Sequence, residues 1–337
     1  MSYNLILFCI MINIPLVIYS RKISRFFNVF DSSDGLRKFQ KNPIPLIGGL
    51  IIYINLIFFL IINNFYNLEV LEKRFFQTNR ELFSLIFGSF SFFFFGVLDD
   101  KYKFNANIKL FSVFIITLII VMIDENLLVS SLKFESFSHV IELKNFSYFF
   151  TILCFLLFIN ALNMFDGINL QAGSYCILVL FIFSFKLVFL NFNLILIVAL
   201  LFFLYLNYKN KAYLGESGVQ LLGFIISYIV IKSYNIEIGL FYIEEIFIIM
   251  ALPGLDLFRL FCIRLLKGKH PFKGDTQHLH HLLMKKFDQK ITFFLIFSFI
   301  LITTIFYYYI PYKFLFIFFY ILTYSLVIIF LMKRKKN

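Results

Sequence analysis

Apolar stretches long enough to cross a lipid bilayer recur along this whole sequence, and they constrain the fold more than any other feature. About eleven stretches of roughly 17 to 25 residues are centred near residues 12, 54, 90, 116, 155, 178, 197, 226, 250, 299 and 322. Their length favours helices, because a membrane barrel would show alternating segments of about ten residues. The composition excludes an ordinary soluble domain, since 61% of the residues are hydrophobic and 52 are Phe. We predict an all-α polytopic membrane protein of about eleven transmembrane helices, with residues 1–337 forming one integral membrane domain.

Basic residues are unevenly distributed between the predicted loops. If the amino terminus lies outside, about three quarters of the 31 Lys and Arg residues fall in the inner loops and the carboxyl-terminal tail. Because cytoplasmic loops accumulate such residues, we predict an external amino terminus, a cytoplasmic carboxyl terminus and an external loop over residues 124–144. The net charge of +12 then reflects topology and attraction to anionic lipid and substrate, and we expect no nucleic-acid partner.

Polar islands interrupt the apolar pattern at the predicted inner helix ends. They are Asp99–Asp100, Asn160–Gly167, Leu214–Gly218 and the histidine-rich run His270–His281. Unrelated solvated loops would seldom all fall on one face, although each island alone could be one. We therefore predict that these distant segments form one site.

The paired carboxylates of Asp99 and Asp100 end an apolar stretch. Adjacent carboxylates repel each other, and one would take up a proton unless a cation lay nearby. Lys109 is the natural cationic neighbour at the start of the next stretch. A solvated helix end is the alternative for this pair.

Hard oxygen ligands come from the next two islands. Asn160, Asn163 and Asp166 recur every three residues, so a helix would place them on one face. Such side chains suit Mg²⁺ or Mn²⁺, as does Glu216 between two glycines. Hydrogen bonds between helices and an ordinary turn are the structural alternatives.

The histidine-rich run suits phosphate binding or proton transfer, because imidazoles and lysines can hold anionic oxygen and exchange protons near neutral pH. His278, His280 and His281 are too crowded to share one zinc ion from a regular helix, so zinc is a weaker alternative. A solvated basic loop is another. Lys38 lies in a second basic cluster at the same predicted face.

Five motifs, in order, resemble those of the polyprenyl-phosphate N-acetylhexosamine-1-phosphate transferases, which start bacterial surface-glycan synthesis. They are Pro45-x-x-Gly48-Gly49, Gly96-x-x-Asp99-Asp100, Asn160-Ala-x-Asn163-x-x-Asp166-Gly167, Leu214-Gly215-Glu216-Ser217-Gly218 and Asp275-x-x-His278-x-His280-His281. The similarity spans residues 31–283. The run HisLeuHisHis and the segment Ile44–Gly49 resemble the GlcNAc-1-phosphate transferases of O-antigen, enterobacterial-antigen or teichoic-acid pathways more than the peptidoglycan phospho-MurNAc-pentapeptide translocase.

The resemblance implies a reaction in which undecaprenyl phosphate attacks the β-phosphorus of a UDP-sugar and UMP leaves. It also implies Mg²⁺ as the cofactor, with Mn²⁺ as a substitute. The protein would lie in the bacterial inner membrane among membrane lipids, with its active site at the cytoplasmic face. A homodimer is a possible assembly. The peptidoglycan transferase reaction is one alternative. An ion-coupled transporter is another, and it would need ionisable residues near the centres of the spans.

The resemblance also implies roles for individual residues. Glu216 and Asn163 would bind the metal. Asp99 or Asp100 would position or deprotonate the lipid phosphate, with Asp166 supporting the site.

The remaining implied roles concern substrate binding. Asn169 resembles the uridine-contacting position, Lys109 and the histidines His278, His280 and His281 would face the diphosphate, and Lys38 would bind substrate. Two departures from the family matter, because Glu216 stands where Asp is usual and Leu170 stands where Gly is usual.

Overall fold

The structure is a computed structural model that describes residues 2–31, 43–65, 76–137, 139–236, 241–269, 271 and 275–333. The helices in this part of the chain are α1 (Ser2–Ile18), α2 (Ser20–Phe27), α3 (Gly48–Phe65), α4 (Asn79–Tyr102), α5 (Ala106–Ile123), α6 (Ser147–Phe165), α7 (Gln171–Phe185), α8 (Leu190–Tyr208), α9 (Gly215–Ile236), α10 (Ile243–Leu266), α11 (Leu279–Met284), α12 (Gln289–Tyr309) and α13 (Lys313–Met332). Two short antiparallel pairs accompany them, β1 (Phe30–Asp31) with β2 (Ile44–Pro45), and β3 (Ser131–Lys133) with β4 (Val140–Glu142).

The helical prediction is confirmed, because each predicted apolar centre lies inside one of these helices. Within the described ranges, eight helices are long and apolar enough to cross a membrane, or nine if α1 and α2 are one bent span. The apolar helices at 48–63 and 171–185 are shorter. The chain is therefore a polytopic helical membrane protein, while the count of eleven spans and the orientation of the termini stay predictions.

Helix α9 is the centre of the bundle. Its residues 217–234 are all buried, and α3, α4 and α6 pack around it. A helix surrounded by protein can carry polar side chains that lipid would exclude. Helix α9 does so with Gln220, Ser227, Lys232 and Ser233, all buried.

A second polar cluster lies at the end of α9 opposite Glu216, and the sequence analysis did not anticipate it. Lys232 Nζ lies 2.5 Å from Glu81 Oε2, and both side chains are almost fully buried. Asn126 donates to the other Glu81 oxygen at 2.7 Å, and Ser84 donates to Asp124 at 3.0 Å. These contacts join α4, α5 and α9 at one end, so they help to fix the relative positions of the same helices at the other.

Candidate active site

Glycines allow α3 and α4 to contact the first turn of α9. A Cβ atom on Gly96 would lie 2.3 Å from the Cα atom of Ser217, and one on Gly49 would lie 2.6 Å from the amide nitrogen of Gly218. Neither distance is compatible with a larger residue unless the helices move apart. These glycines therefore bring Asp99 and Asp100 to Glu216.

The strand pair β1–β2 holds the segment before α9 in place. Tyr213 donates from its backbone to the Pro45 carbonyl at 2.9 Å, and Gly48 donates back to the Tyr213 carbonyl at 3.2 Å. Gly215 follows with a φ of 74°, in the left-handed region that favours glycine. The chain can therefore turn sharply into α9 just before Glu216.

Asp100 caps the start of α9. Its carboxylate accepts from the backbone amides of Glu216 at 2.8 Å and Ser217 at 3.1 Å. The first amides of a helix lack partners within the helix, and a negative charge there is favourable. Asp100 therefore positions Glu216 through the backbone.

Asp99 has a different partner from Asp100. Its Oδ2 atom lies 2.6 Å from Lys109 Nζ, and Oδ1 accepts from the Phe104 amide at 2.9 Å. Lys109 Nζ also lies 2.8 Å from Glu216 Oε1. The expected cationic neighbour of the carboxylate pair is therefore Lys109, which joins Asp99 to Glu216.

Asn163 completes this row of side chains. Its Nδ2 atom donates to Glu216 Oε2 at 2.7 Å. Asn160, by contrast, donates to the Leu156 carbonyl of its own helix at 2.7 Å. The spacing of three residues thus brings Asn163 to the site, whereas the amide of Asn160 is used within α6.

Asp166 directly follows the end of α6 and is half-buried. Burial, with the carboxylates of Glu216 and Asp100 nearby, raises the pKa of Asp166 to about 7. This carboxyl group can therefore gain or lose a proton close to neutral pH.

The donor set around Glu216 fits Mg²⁺ in type. Mg²⁺ is commonly held by one or two carboxylates together with substrate phosphates. Glu216 supplies a carboxylate, and the amide of Asn163 presents its oxygen after a half-turn of the side chain. Four carboxylates share this region with one ammonium group, that of Lys109. The carboxylates are those of Asp99, Asp100, Asp166 and Glu216. A divalent cation would offset the excess negative charge. Within the described ranges, no three His, Cys, Asp or Glu side chains are grouped to hold a metal ion by themselves.

The loop that contains Asn169 is fixed to the end of α8. Asn169 Nδ2 donates to the Asn207 carbonyl at 3.1 Å and to Asn210 Oδ1 at 2.6 Å. Asn207 in turn accepts from the Leu170 amide at 2.6 Å. Leu170 has a φ of 72°, which explains why glycine suits this position.

The described histidines of the run are buried or half-buried. His278 directly precedes the short helix α11, and both His278 and His280 are buried, while His281 is half-buried. The alternative of a solvated loop is wrong for these three histidines, because α11 packs against α12 and α13. Lys38, His270 and Lys273 lie outside the described residues.

Asp256 of α10 fixes the orientation of His278. Its Oδ2 atom lies 2.9 Å from His278 Nδ1. Its Oδ1 atom accepts from Arg259 Nη2 at 2.8 Å and from the Tyr324 hydroxyl at 2.9 Å. The carboxylate thus anchors the histidine motif to α10 and α13.

A second ion pair secures the start of the motif. Arg264 Nε lies 2.9 Å from Asp275 Oδ2, and Arg264 Nη1 donates to the Pro271 carbonyl at 2.7 Å. The sequence analysis assigned no role to Arg259 or Arg264. Charged residues inside a long apolar stretch are the signal that could have identified them.

His280 connects the histidine motif to the end of α6. A Cβ atom on Gly167 would lie 2.0 Å from His280 Nε2, so the ring lies directly against the residue after Asp166. Burial, together with His281 and His278, lowers the pKa of His280 to about 3. The ring is therefore neutral at physiological pH, and it would act on a phosphate as a hydrogen-bonding group without charge.

Comparisons with known proteins show what this chain is similar to. Residues 82–234 match Glycosyl transferase family 4, a range that includes Asp99, Lys109, Asn163 and Glu216. The undecaprenyl-phosphate alpha-N-acetylglucosaminyl 1-phosphate transferase of Escherichia coli O157:H7 is 28% identical over 279 residues, which cover 79% of this chain and 72% of that protein.

A second relative has the same percentage identity to this chain. The probable undecaprenyl-phosphate N-acetylglucosaminyl 1-phosphate transferase of Bacillus subtilis is 28% identical over 258 residues, covering 74% of this chain and 68% of that protein. The motif order, the match over residues 82–234 and these relatives together make the chain similar to glycosyl transferase family 4, and the relatives are named as GlcNAc-1-phosphate transferases.

Proposed function

We propose that this enzyme transfers a sugar-1-phosphate from a UDP-sugar to undecaprenyl phosphate. A lipid-phosphate oxygen forms a bond to the β-phosphorus, and the bond from that phosphorus to the bridging oxygen breaks. UMP leaves with the bridging oxygen, and the lipid keeps the sugar on a diphosphate. The contact row Asp99–Lys109–Glu216–Asn163 carries the proposal, because it gathers phosphate-handling groups from four helices.

Positioning and charge compensation explain how these residues would act. Exchange of one phosphoanhydride for another requires anions to be brought together in line while developing charge is stabilised. Lys109 supplies a fixed positive charge for the diphosphate. Mg²⁺, held by Glu216 and Asn163 when bound, would neutralise further phosphate charge, and Mn²⁺ would be its substitute.

The acidic residues have different parts in the proposal. Asp99 would position the lipid phosphate through Lys109, whose ammonium group it holds at 2.6 Å. Asp100 keeps α9 in place. Asp166, with a pKa of about 7, can accept and return a proton beside the reacting phosphates.

The histidine motif and Asn169 serve substrate binding in the same proposal. His278, His280 and His281 would contact the diphosphate, and Asn169 would contact the uridine. The names of the relatives support GlcNAc as the sugar and undecaprenyl phosphate as its acceptor. Surface-glycan synthesis, including O-antigen, lipopolysaccharide or cell-wall polymers, is the purpose that the motif resemblance implies.

Incubation of purified protein with Mg²⁺, undecaprenyl phosphate and a panel of UDP-sugars tests the reaction. We expect UMP release and a lipid-linked diphospho-sugar with UDP-GlcNAc. The Glu216→Gln variant supplies the matched inactive control. Absence of UMP with every UDP-sugar, from protein that remains folded, would contradict the proposal.

The site would face the cytoplasm of a bacterial inner membrane, where UDP-sugars are found. A membrane-impermeant thiol reagent applied to intact cells should label Glu142→Cys in β4 and spare Thr276→Cys beside the histidine motif. Both positions are exposed. External labelling of residue 276 would reverse the orientation.

A further inference from the structure

Helix α2 changes direction immediately after the first apolar helix. The axes of α1 and α2 differ by 68° across a break at Tyr19. The chain after α2 then leads into β1, whose partner β2 contacts Tyr213 just before α9. Helix α2 thus lies at the same end of the bundle as the candidate active site.

Three different faces run along α2. At about 100° per residue, Ser20 and Ser24 share one face, and both are buried against the protein. The basic residues Arg21, Lys22 and Arg25 occupy a second, exposed face. The third face carries Ile23 and the phenylalanines that follow Arg25.

The third face of α2 is aromatic, and its two phenylalanine side chains are exposed. Phe26 is 85% exposed and Phe27 is 53% exposed, and their rings lie 5.2 Å apart. The centres of the aromatic and basic faces are roughly 150° apart at the helical angle per residue. A helix lying in a bilayer surface needs this arrangement, with aromatic side chains directed into the acyl region and basic ones directed to the head groups.

The position of α2 along the membrane normal supports the same placement. Helix α1 has 17 residues, which gives a length of about 25 Å and brings its end near the boundary of the hydrocarbon layer. Three exposed cations could not continue in that layer without a large cost. The bend instead carries them along its surface.

We propose that α2 is an interfacial docking helix for anionic phospholipids at the face that contains the active site. Charge complementarity selects this occupant, because three exposed cations and an open aromatic face match an anionic head group and its acyl chains. Through β1 and β2, the occupied helix would hold the segment before Glu216 at a constant depth in the membrane.

The chain contains no Trp, so Phe26→Trp supplies a single fluorescent reporter on the proposed surface. The variant is placed in vesicles that mix phosphatidylglycerol and phosphatidylcholine, with one lipid or the other brominated as a quencher. We expect brominated phosphatidylglycerol to bind at this site about a hundredfold more strongly than brominated phosphatidylcholine, since each of the three basic residues near the membrane surface adds roughly fivefold attraction to anionic lipid.

Removal of the three charges isolates their contribution. We combine Phe26→Trp with the substitutions Arg21→Gln, Lys22→Gln and Arg25→Gln. The two brominated lipids should then bind at this site about equally strongly. The pair Lys285→Gln and Lys290→Gln is the control, because both lysines are exposed and lie away from α2, directly after α11 and in the first turn of α12.

A second reporter tests the background preference. Phe318→Trp, on the exposed side of α13, should be quenched equally by both brominated lipids. Quenching of Trp at position 26 by neither lipid would show that something else covers α2. A head-group preference that survives loss of the three cations would equally overturn the proposal, and both readouts are independent of enzymatic activity.

Discussion

Glu216→Gln is the most informative single substitution at the candidate active site. It removes one negative charge and keeps the length of the side chain. The substituted side chain could still accept from Lys109, and its amide nitrogen could donate to Asn163 after that side chain rotates by a half-turn. The folded structure should therefore tolerate the change, with a free energy of unfolding altered by about 1 kcal/mol or less.

The loss of activity follows from the negative charge that the carboxylate contributes. Lys109 Nζ lies at 2.8 Å and Asn163 Nδ2 at 2.7 Å from its oxygens, so this charge lies beside the groups proposed to serve the diphosphate and the metal. Loss of one preorganised electrostatic contact in an active site lowers kcat by about a hundredfold to a thousandfold, and the Glu216 side chain is 28% exposed, so the lower part of this range applies. We therefore expect kcat/KM to decrease by about a hundredfold or more.

UMP release measured over a series of Mg²⁺ concentrations provides the assay. We expect the Glu216→Gln variant to need more Mg²⁺ for half-maximal activity, and Glu216→Asp to stay active with an altered preference between Mg²⁺ and Mn²⁺. Glu142→Gln, an exposed acidic position in β4, should behave as the unsubstituted protein. Full activity of Glu216→Gln at limiting Mg²⁺ would refute the assignment of this residue.

Three further substitutions test other parts of the structure. Asp256→Asn offers His278 Nδ1 a donor in place of an acceptor, which favours the other imidazole tautomer. We expect kcat to fall at least about tenfold. Unchanged NMR shifts of the imidazole nitrogens would contradict this reasoning. Gly167→Ala should displace His280 and lower activity, but it should have no further effect in the His280→Ala background, and additive losses in that double variant would exclude the contact. Lys232→Met should lower the free energy of unfolding by about 3 to 5 kcal/mol in a denaturant titration, whereas neutralising both members of its ion pair should recover much of the loss.

The positions of the helices and the proximity of four of the polar side chains could be predicted from the sequence. Apolar run length limits where a chain can cross a bilayer, and this constraint acts locally. The inner-end positions of Asp99, Asn163 and Glu216 predicted that these side chains would share one site, and Lys109 and Glu216 do link them by direct contacts. The role of each carboxylate could not be predicted, because adjacent positions in a helix end point in different directions.

The buried ion pairs show why prediction from the sequence was incomplete. Glu81 and Lys232 are separated by 151 positions, and their pairing depends on how α4 packs against α9. The contact between Asp256 and His278 likewise requires the start of α11 to lie beside α10. Such contacts depend on the packing of distant segments, which no local pattern specifies.

The sequence by itself determined the class of protein, the order of the helices, the family motifs and the types of group available for phosphate chemistry. Only the tertiary structure decided that Asp100 caps α9 while Asp99 pairs with Lys109, and that the histidine motif is anchored by Asp256. The physical reason is that hydrophobic length acts within a single segment. Hydrogen bonds and ion pairs instead require atoms of different segments to be placed to within a few tenths of an ångström, and helix packing sets those distances.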